Sequence, residues 1–196
     1  MINKRYLINM KNNKLTLLIL VMSTMIAQIP ELTEDEKTGN PMIVGLSQRS
    51  DYEHSEHFKQ WFNKEYESYV IDEETLYLTS AIEDEIKIEC FMGTWCEDSR
   101  REVPRFYKIL DQIKFNEKNL KIVSVDRGKV SPGGEEKGKY IHHVPTMIFY
   151  SQGQELGRII EYPVGTLEED VVDIIFGNPP TPNYADWKPG DEDEDH

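Results

Sequence analysis

Residues 86–106 read IKIECFMGTWCEDSRREVPRF, and the repeat of their apolar positions decides how the chain is built. Ile86, Ile88 and Cys90 alternate with Lys87, Glu89 and Phe91, a period of two with β-branched residues that predicts a strand. Gly93 and Thr94 break it. From about Glu97 to Ile113, Val103, Phe106, Tyr107, Leu110 and Ile113 fall on one helical stripe, so a helix follows. Pro104 lies inside that helix, where it removes a backbone donor and should kink it. Cys96 therefore opens a helix, facing unpaired backbone N–H groups and the positive end of the macrodipole. Both favour thiolate, and Arg100 and Arg101 push the same way against Glu97 and Asp98. The expected direction for the thiol is downward from its reference near ~8.5.

Outward from this segment the pattern continues. Leu120–Asp126 reads as a strand, 127–139 as a Gly- and Lys-rich loop, and Thr146–Tyr150 with Glu155–Tyr162 as two strands around the turn 151–154. Thr166–Phe176 is a closing amphipathic helix, with Leu167, Val171, Val172, Ile174 and Ile175 inward. Upstream, Phe58, Trp61, Phe62, Tyr66, Tyr69 and Val70 recur at helical spacing over 55–70. Asp72 and Thr75 open a second short helix or turn within TLYLTSAI. A strand, a helix and a strand in sequence imply a parallel pair with a right-handed crossover, and the hairpin adds antiparallel strands. The class is α/β with a mixed central sheet.

The ends differ from the middle. Lys4, Arg5, Lys11 and Lys14 precede the apolar run Leu15–Ala27, which at 13 residues suits a secretory signal segment and is short for a spanning helix. Residues 1–27 are read as a signal peptide, placing the protein in the periplasm or outside the cell; Met25 is a poor cleavage-site residue, so an uncleaved anchor facing outside the cytoplasm is the alternative. Residues 28–53 read as an extended lead-in, 54–176 as the folded domain with an N-terminal helical extension, and 177–196 as a disordered Pro-rich acidic tail ending GDEDEDH. A net charge of −14 over 196 residues argues against nucleic-acid binding and for a soluble monomer. Two cysteines, Cys90 and Cys96, are too few for a disulfide-stapled scaffold. With 38% hydrophobic residues the core stands on burial.

Trp95-Cys96-Glu97-Asp98-Ser99 resembles the Trp-Cys-x-x-Cys of thioredoxins, with serine in place of the second cysteine. Pro104 falls where that family keeps its helix proline, Val144-Pro145-Thr146 resembles its cis-proline loop, and Val164-Gly165-Thr166-Leu167 its turn into the final helix. The resemblance covers residues 84–176 and implies a thioredoxin-like three-layer α/β/α sandwich. It implies thiol–disulfide exchange, as reduction or isomerisation through a mixed disulfide. Cys96 is then the nucleophile, Ser99 its hydrogen-bonding neighbour, Pro145 a wall of the substrate groove and Trp95 its cover. Partners are protein or small-molecule thiols and disulfides. Serine forms no disulfide, so an outside thiol must resolve the intermediate. Cys90 stands where thioredoxins carry a buried acid; it reads as a small buried hydrophobe, with a resolving role as the alternative and no Cys90–Cys96 disulfide at rest.

A non-catalytic peptide-binding module on the same fold is the rival reading. A peroxiredoxin is weaker, since Thr94-Trp95-Cys96 departs from the Thr-x-x-Cys of that family. No cofactor and no metal is implied. His142 and His143 with Cys96 could bind copper or zinc, but the Cys-x-x-x-Cys plus His pattern of metal-binding relatives is absent. His54 and His57 read as solvated.

Overall fold

Strand alternation sorts the molecule into two unlike faces. The structure is a computed structural model and describes residues 30–77 and 86–190. Its six strands are β1 (Glu31–Glu34), β2 (Pro41–Ser47), β3 (Ile86–Met92), β4 (Leu120–Ser124), β5 (Thr146–Ser151) and β6 (Gln154–Ile160), in the spatial order β1-β2-β4-β3-β5-β6. β3 and β4 are parallel, with Cys90 beside Ile122, and the remaining pairs are antiparallel. The helices are α1 (Ser50–Glu53), α2 (Lys59–Ser68), α3 (Glu73–Leu76), α4 (Glu97–Gln112) and α5 (Leu167–Ile175). The mixed α/β architecture agrees with the sequence. The 78–82 part of TLYLTSAI and the leader 1–27 lie outside the described residues.

On the first face, Ile86, Ile88, Cys90 and Met92 of β3, Ile122 of β4 and Met147 and Phe149 of β5 share one core cluster with buried residues from all five helices. Phe62 of α2 meets Tyr107 of α4 edge to face at 5.7 Å, and Phe106 meets Phe149 at 6.0 Å. Each such buried ring contributes about 1.5–3 kcal/mol relative to exposure. Residues 50–76 therefore belong to the core on this side. Buried Glu168 of α5 ties them down, accepting from the Tyr69 hydroxyl at 2.7 Å and from the Asp72 amide at 3.2 Å.

The second face carries Phe91, Val123, Val125 and Ile148, which cluster with Cys96 and Val144. Trp95, Leu46, Ile141 and Tyr150 pack around them. Here the covering layer is the loop between β4 and β5 rather than a helix.

The lead-in expectation is corrected. Residues 31–47 form a hairpin, and β2 joins the sheet through β4, with Gly45 opposite Ser124. Pro41 is the first residue of its strand, where the missing donor is tolerated. Gly39, at φ +71°, makes the turn possible. The tail expectation is corrected as well: residues 178–190 are placed against the body, and only 191–196 lie outside the described residues. Among the described residues no helix is long and apolar enough to cross a membrane.

This topology gathers chain segments at one end of the sheet. β3 and β4 both end there, and β5 begins there. The start of β2 reaches it too, with the Ile43 amide donating to Thr94 Oγ1 at 3.2 Å. The end of β6 closes the ring, Glu161 N donating to Pro145 O at 2.7 Å.

Candidate functional site

Cys96 is the N-cap of α4, in extended conformation, at the close of a turn in which its amide donates to Gly93 O at 3.0 Å. Its thiol donates to the carbonyl of Val144 at 3.1 Å, one residue before Pro145, and the Val144–Pro145 peptide is cis. Ser99 lies one helical turn on, fully buried, with Oγ accepting from Gly93 N at 3.1 Å. Cys96, Ser99, Trp95 and Pro145 thus come together as the sequence places them.

The expected electrostatics are corrected. Only 8% of Cys96 is exposed, and burial pushes its thiol up from the ordinary value. Hydrogen bonds from the Ser99 backbone and side chain pull the other way, but burial wins. The cations do not help, because they are engaged elsewhere. Arg100 Nε donates to Thr94 O at 2.5 Å, and Arg101 pairs with Asp98 and Glu102. The resting sulfur is a desolvated thiol rather than an exposed thiolate.

Trp95 is held from two sides. Its indole N–H donates to Val125 O at 3.0 Å, and the Arg127 guanidinium lies over the ring at 4.8 Å. Arg127 in turn grips Asp35 with two bonds, 2.6 and 3.0 Å. Asp35 is 2% exposed, and Arg127 holds its carboxyl well below the usual carboxylate range. A Cβ on Gly93 would sit 2.5 Å from the Trp95 ring, so glycine is required for the indole to lie down here. Asp35 and Arg127, 92 residues apart, were invisible to sequence reasoning because no local pattern links a loop after β4 to a hairpin turn. A cavity of about 420 Å³ beside this pair is lined by Glu31, Glu34 and Val130 and excludes Cys96.

Cys90 behaves differently. It is fully buried on the helical face, and burial pushes its thiol up to about 12. Both cysteines are free. His142 and His143 turn their Nδ1 atoms toward each other at 2.7 Å. Tyr184 stacks on the His143 ring at 3.9 Å and Trp187 on His142 at 4.6 Å. Nothing in the sequence marked these two aromatics as part of the site, since they sit among prolines in a segment with no periodicity. His54 is solvated, its side chain three-quarters exposed.

The turn Val164-Gly165-Thr166 is fixed by Asp170, which accepts from Val164 N at 2.8 Å and Gly165 N at 3.0 Å. Thr166 and Glu169 form a capping box on α5.

The sequence profile described as Thioredoxin matches residues 45–173. The mitochondrial thioredoxin-2 of Schizosaccharomyces pombe is 31% identical over 91 residues, 46% of this chain and 64% of that protein, so the chain spans a little under two thirds of that relative's length. Among solved structures the chain is similar to a Pseudomonas aeruginosa protein of unknown function, with a TM-score of 0.43 and 13% identity over 61% of this chain and 80% of the other. It is also similar to an HIV epitope scaffold, with a TM-score of 0.38 and 14% identity over 61% and 73% of the two chains. The profile takes in β3, Cys96, the helix it opens, Pro145 and most of α5, which is more than half of the chain, and on that match this chain belongs to the thioredoxin family.

Proposed function

We propose that the protein performs monothiol thiol–disulfide exchange at Cys96, outside the cytoplasm. The observation that carries the reading is the Cys96 thiol at a helix N-cap, bonded to the carbonyl that precedes Pro145 and adjoined by Ser99. In the reaction the Cys96 thiolate attacks one sulfur of a substrate disulfide. A new S–S bond forms, the old one breaks, and the departing sulfur leaves as thiolate and takes a proton. A thiol from outside then attacks the substrate sulfur of the mixed disulfide, returns Cys96 as thiolate and stays bonded to the substrate. A second outside thiol attacks the first, leaving the two joined as a disulfide and the substrate reduced; when the attacking thiol belongs to the substrate itself, the outcome is isomerisation. The Ser99 hydrogen bonds and the helix N-terminus stabilise the sulfur's negative charge once substrate or loop motion breaks the bond to Val144 O. The extracytoplasmic placement rests on the basic and apolar order of residues 4–27.

Incubation with a peptide–glutathione mixed disulfide, with glutathione as resolving thiol, tests the reading. Turnover that vanishes in Cys96→Ser and persists in Cys90→Ala supports it. Equal rates in Cys96→Ser and the parent chain would sink it. A second reading is favoured by the buried, upshifted thiol: a thioredoxin fold that holds a peptide without exchanging disulfides. Peptide binding that survives Cys96→Ser, with no turnover in either protein, decides for it.

A further inference from the structure

We propose that residues 178–190 form a strap that clamps the 140–145 loop shut over Cys96 and so governs access to the sulfur. The inference concerns regulation of the site assigned above and rests on that assignment. The strap starts at the end of α5, where Gly177 at φ +80° turns the chain and Asn178 N donates back to Asp173 O at 2.8 Å. Pro179 then lies against Gly157 of β6, closely enough that a Cβ there would sit 2.7 Å away. Further on, Asn183 Nδ2 donates to Tyr162 O at 2.8 Å, and Trp187 N donates to Tyr184 O at 3.0 Å, closing a turn. The Tyr184 ring lies flat on His143 and the Trp187 ring flat on His142, with interplanar angles of 10° and 14°.

The two histidines connect the strap to the sulfur. They are bonded to each other through Nδ1 and are followed directly by Val144, whose carbonyl accepts from the Cys96 thiol. Ile141 precedes them and packs on the cluster that contains Cys96. Stacking each imidazole on an aromatic ring of the strap therefore fixes the stretch of loop between Ile141 and Val144 over the thiol.

The strap is built to let go as a unit. It contributes no strand to the sheet and no helix; Pro179, Pro180 and Pro182 restrict its first part whether docked or released, which lowers the entropic difference between the two states, and a turn at 183–186 then presents the two rings. The indole N–H of Trp187 is buried without an acceptor among the described residues, a cost of docking that release removes. A client segment that offers flat side chains to His142 and His143 takes over the strap's place.

Iodoacetamide labelling of the full chain, assigned to Cys96 by peptide mass mapping, tests this. The Tyr184→Ala/Trp187→Ala chain is expected to label roughly tenfold faster than the parent. His142→Ala/His143→Ala is expected to label faster too, and combining all four changes is expected to add little, because both pairs break the same contact. An unchanged rate in the strap variant, or strictly additive effects in the combination, overturns the proposal. Faster labelling in a chain that never exchanges disulfides leaves the strap in place and overturns the exchange reading instead, so the two failures are distinct.

Discussion

Cys90 and Cys96 are six residues apart, both free and both buried, and they belong to different halves of the molecule. Cys90 points to the face where five helices and the sheet share one core, and solvent removal is the sole cause of its upward shift. Cys96 lies on the opposite face, where a loop supplies the cover and where Ser99 competes with burial. What separates the two thiols is the kind of material above them. Helices packed ring against ring cover Cys90, whereas Cys96 lies under a loop that meets the sulfur through the Val144 carbonyl.

The largest effect expected from this contrast is chemical. Cys96→Ser removes all turnover of a mixed disulfide, while Cys90→Ala leaves the rate within about twofold, as a nucleophile that never meets substrate should. Similar losses in both variants, measured as glutathione release, would break the comparison. In stability the order reverses. Cys90→Ser buries a hydroxyl in an apolar cluster and is expected to cost roughly 1–3 kcal/mol in urea unfolding, against less than about 1 kcal/mol for Cys96→Ser, whose hydroxyl can keep the Val144 bond.

The pH dependence sharpens the comparison from both sides. Cys90 is raised from 9.0 to about 12, so its contribution to stability is complete below pH 9 and is lost as pH rises toward the folded value. Cys90→Ala should flatten the alkaline limb of an unfolding series. Asp35 runs the opposite way. Its folded value is depressed by Arg127, so its contribution is complete above the reference 3.8 and is lost as pH falls through the folded value. Asp35→Asn is expected to cost roughly 1–3 kcal/mol at neutral pH and to shrink the acid-side loss, and the changed Trp95 fluorescence would report the freed indole. The smallest effect concerns Ser99→Ala, which removes the buried hydroxyl whose pull on the Cys96 thiol opposes burial and should slow Cys96 alkylation at fixed pH about two- to tenfold.

Much of the fold was legible because its elements repeat cleanly. The alternation of Ile86, Ile88 and Cys90 identifies both the strand and the face, and α4 and α5 follow from stripes that the core clusters reproduce. The hairpin at 31–47 was not legible: its strands are short, Pro41 and Gly39 read as breaks, and its partner β4 lies more than seventy residues on. The site was legible as a set of residues, since Trp95, Cys96, Ser99 and Pro145 assemble, and not as an electrostatic environment. Helix position argued for a lowered thiol, yet burial under a loop that lies far along the chain reverses the direction. The arginines show the same limit, for a charge near a thiol in sequence is spent on Thr94 O or on Asp98 and Glu102 in space. Tyr184 and Trp187 escaped because a Pro-rich acidic composition describes a chain without a core and is silent on whether an existing core will seat it.

The one-sided placement of the helices has a consequence for how the protein can change over time. The strands that share the first core keep their helices whatever covers the other face, so the packed core and the cover over Cys96 reside in separate layers. Lengthening, shortening or recolouring the 126–140 segment changes the surroundings of the sulfur without redrawing the core on the helical face. The molecule is thus a chassis with an interchangeable hatch.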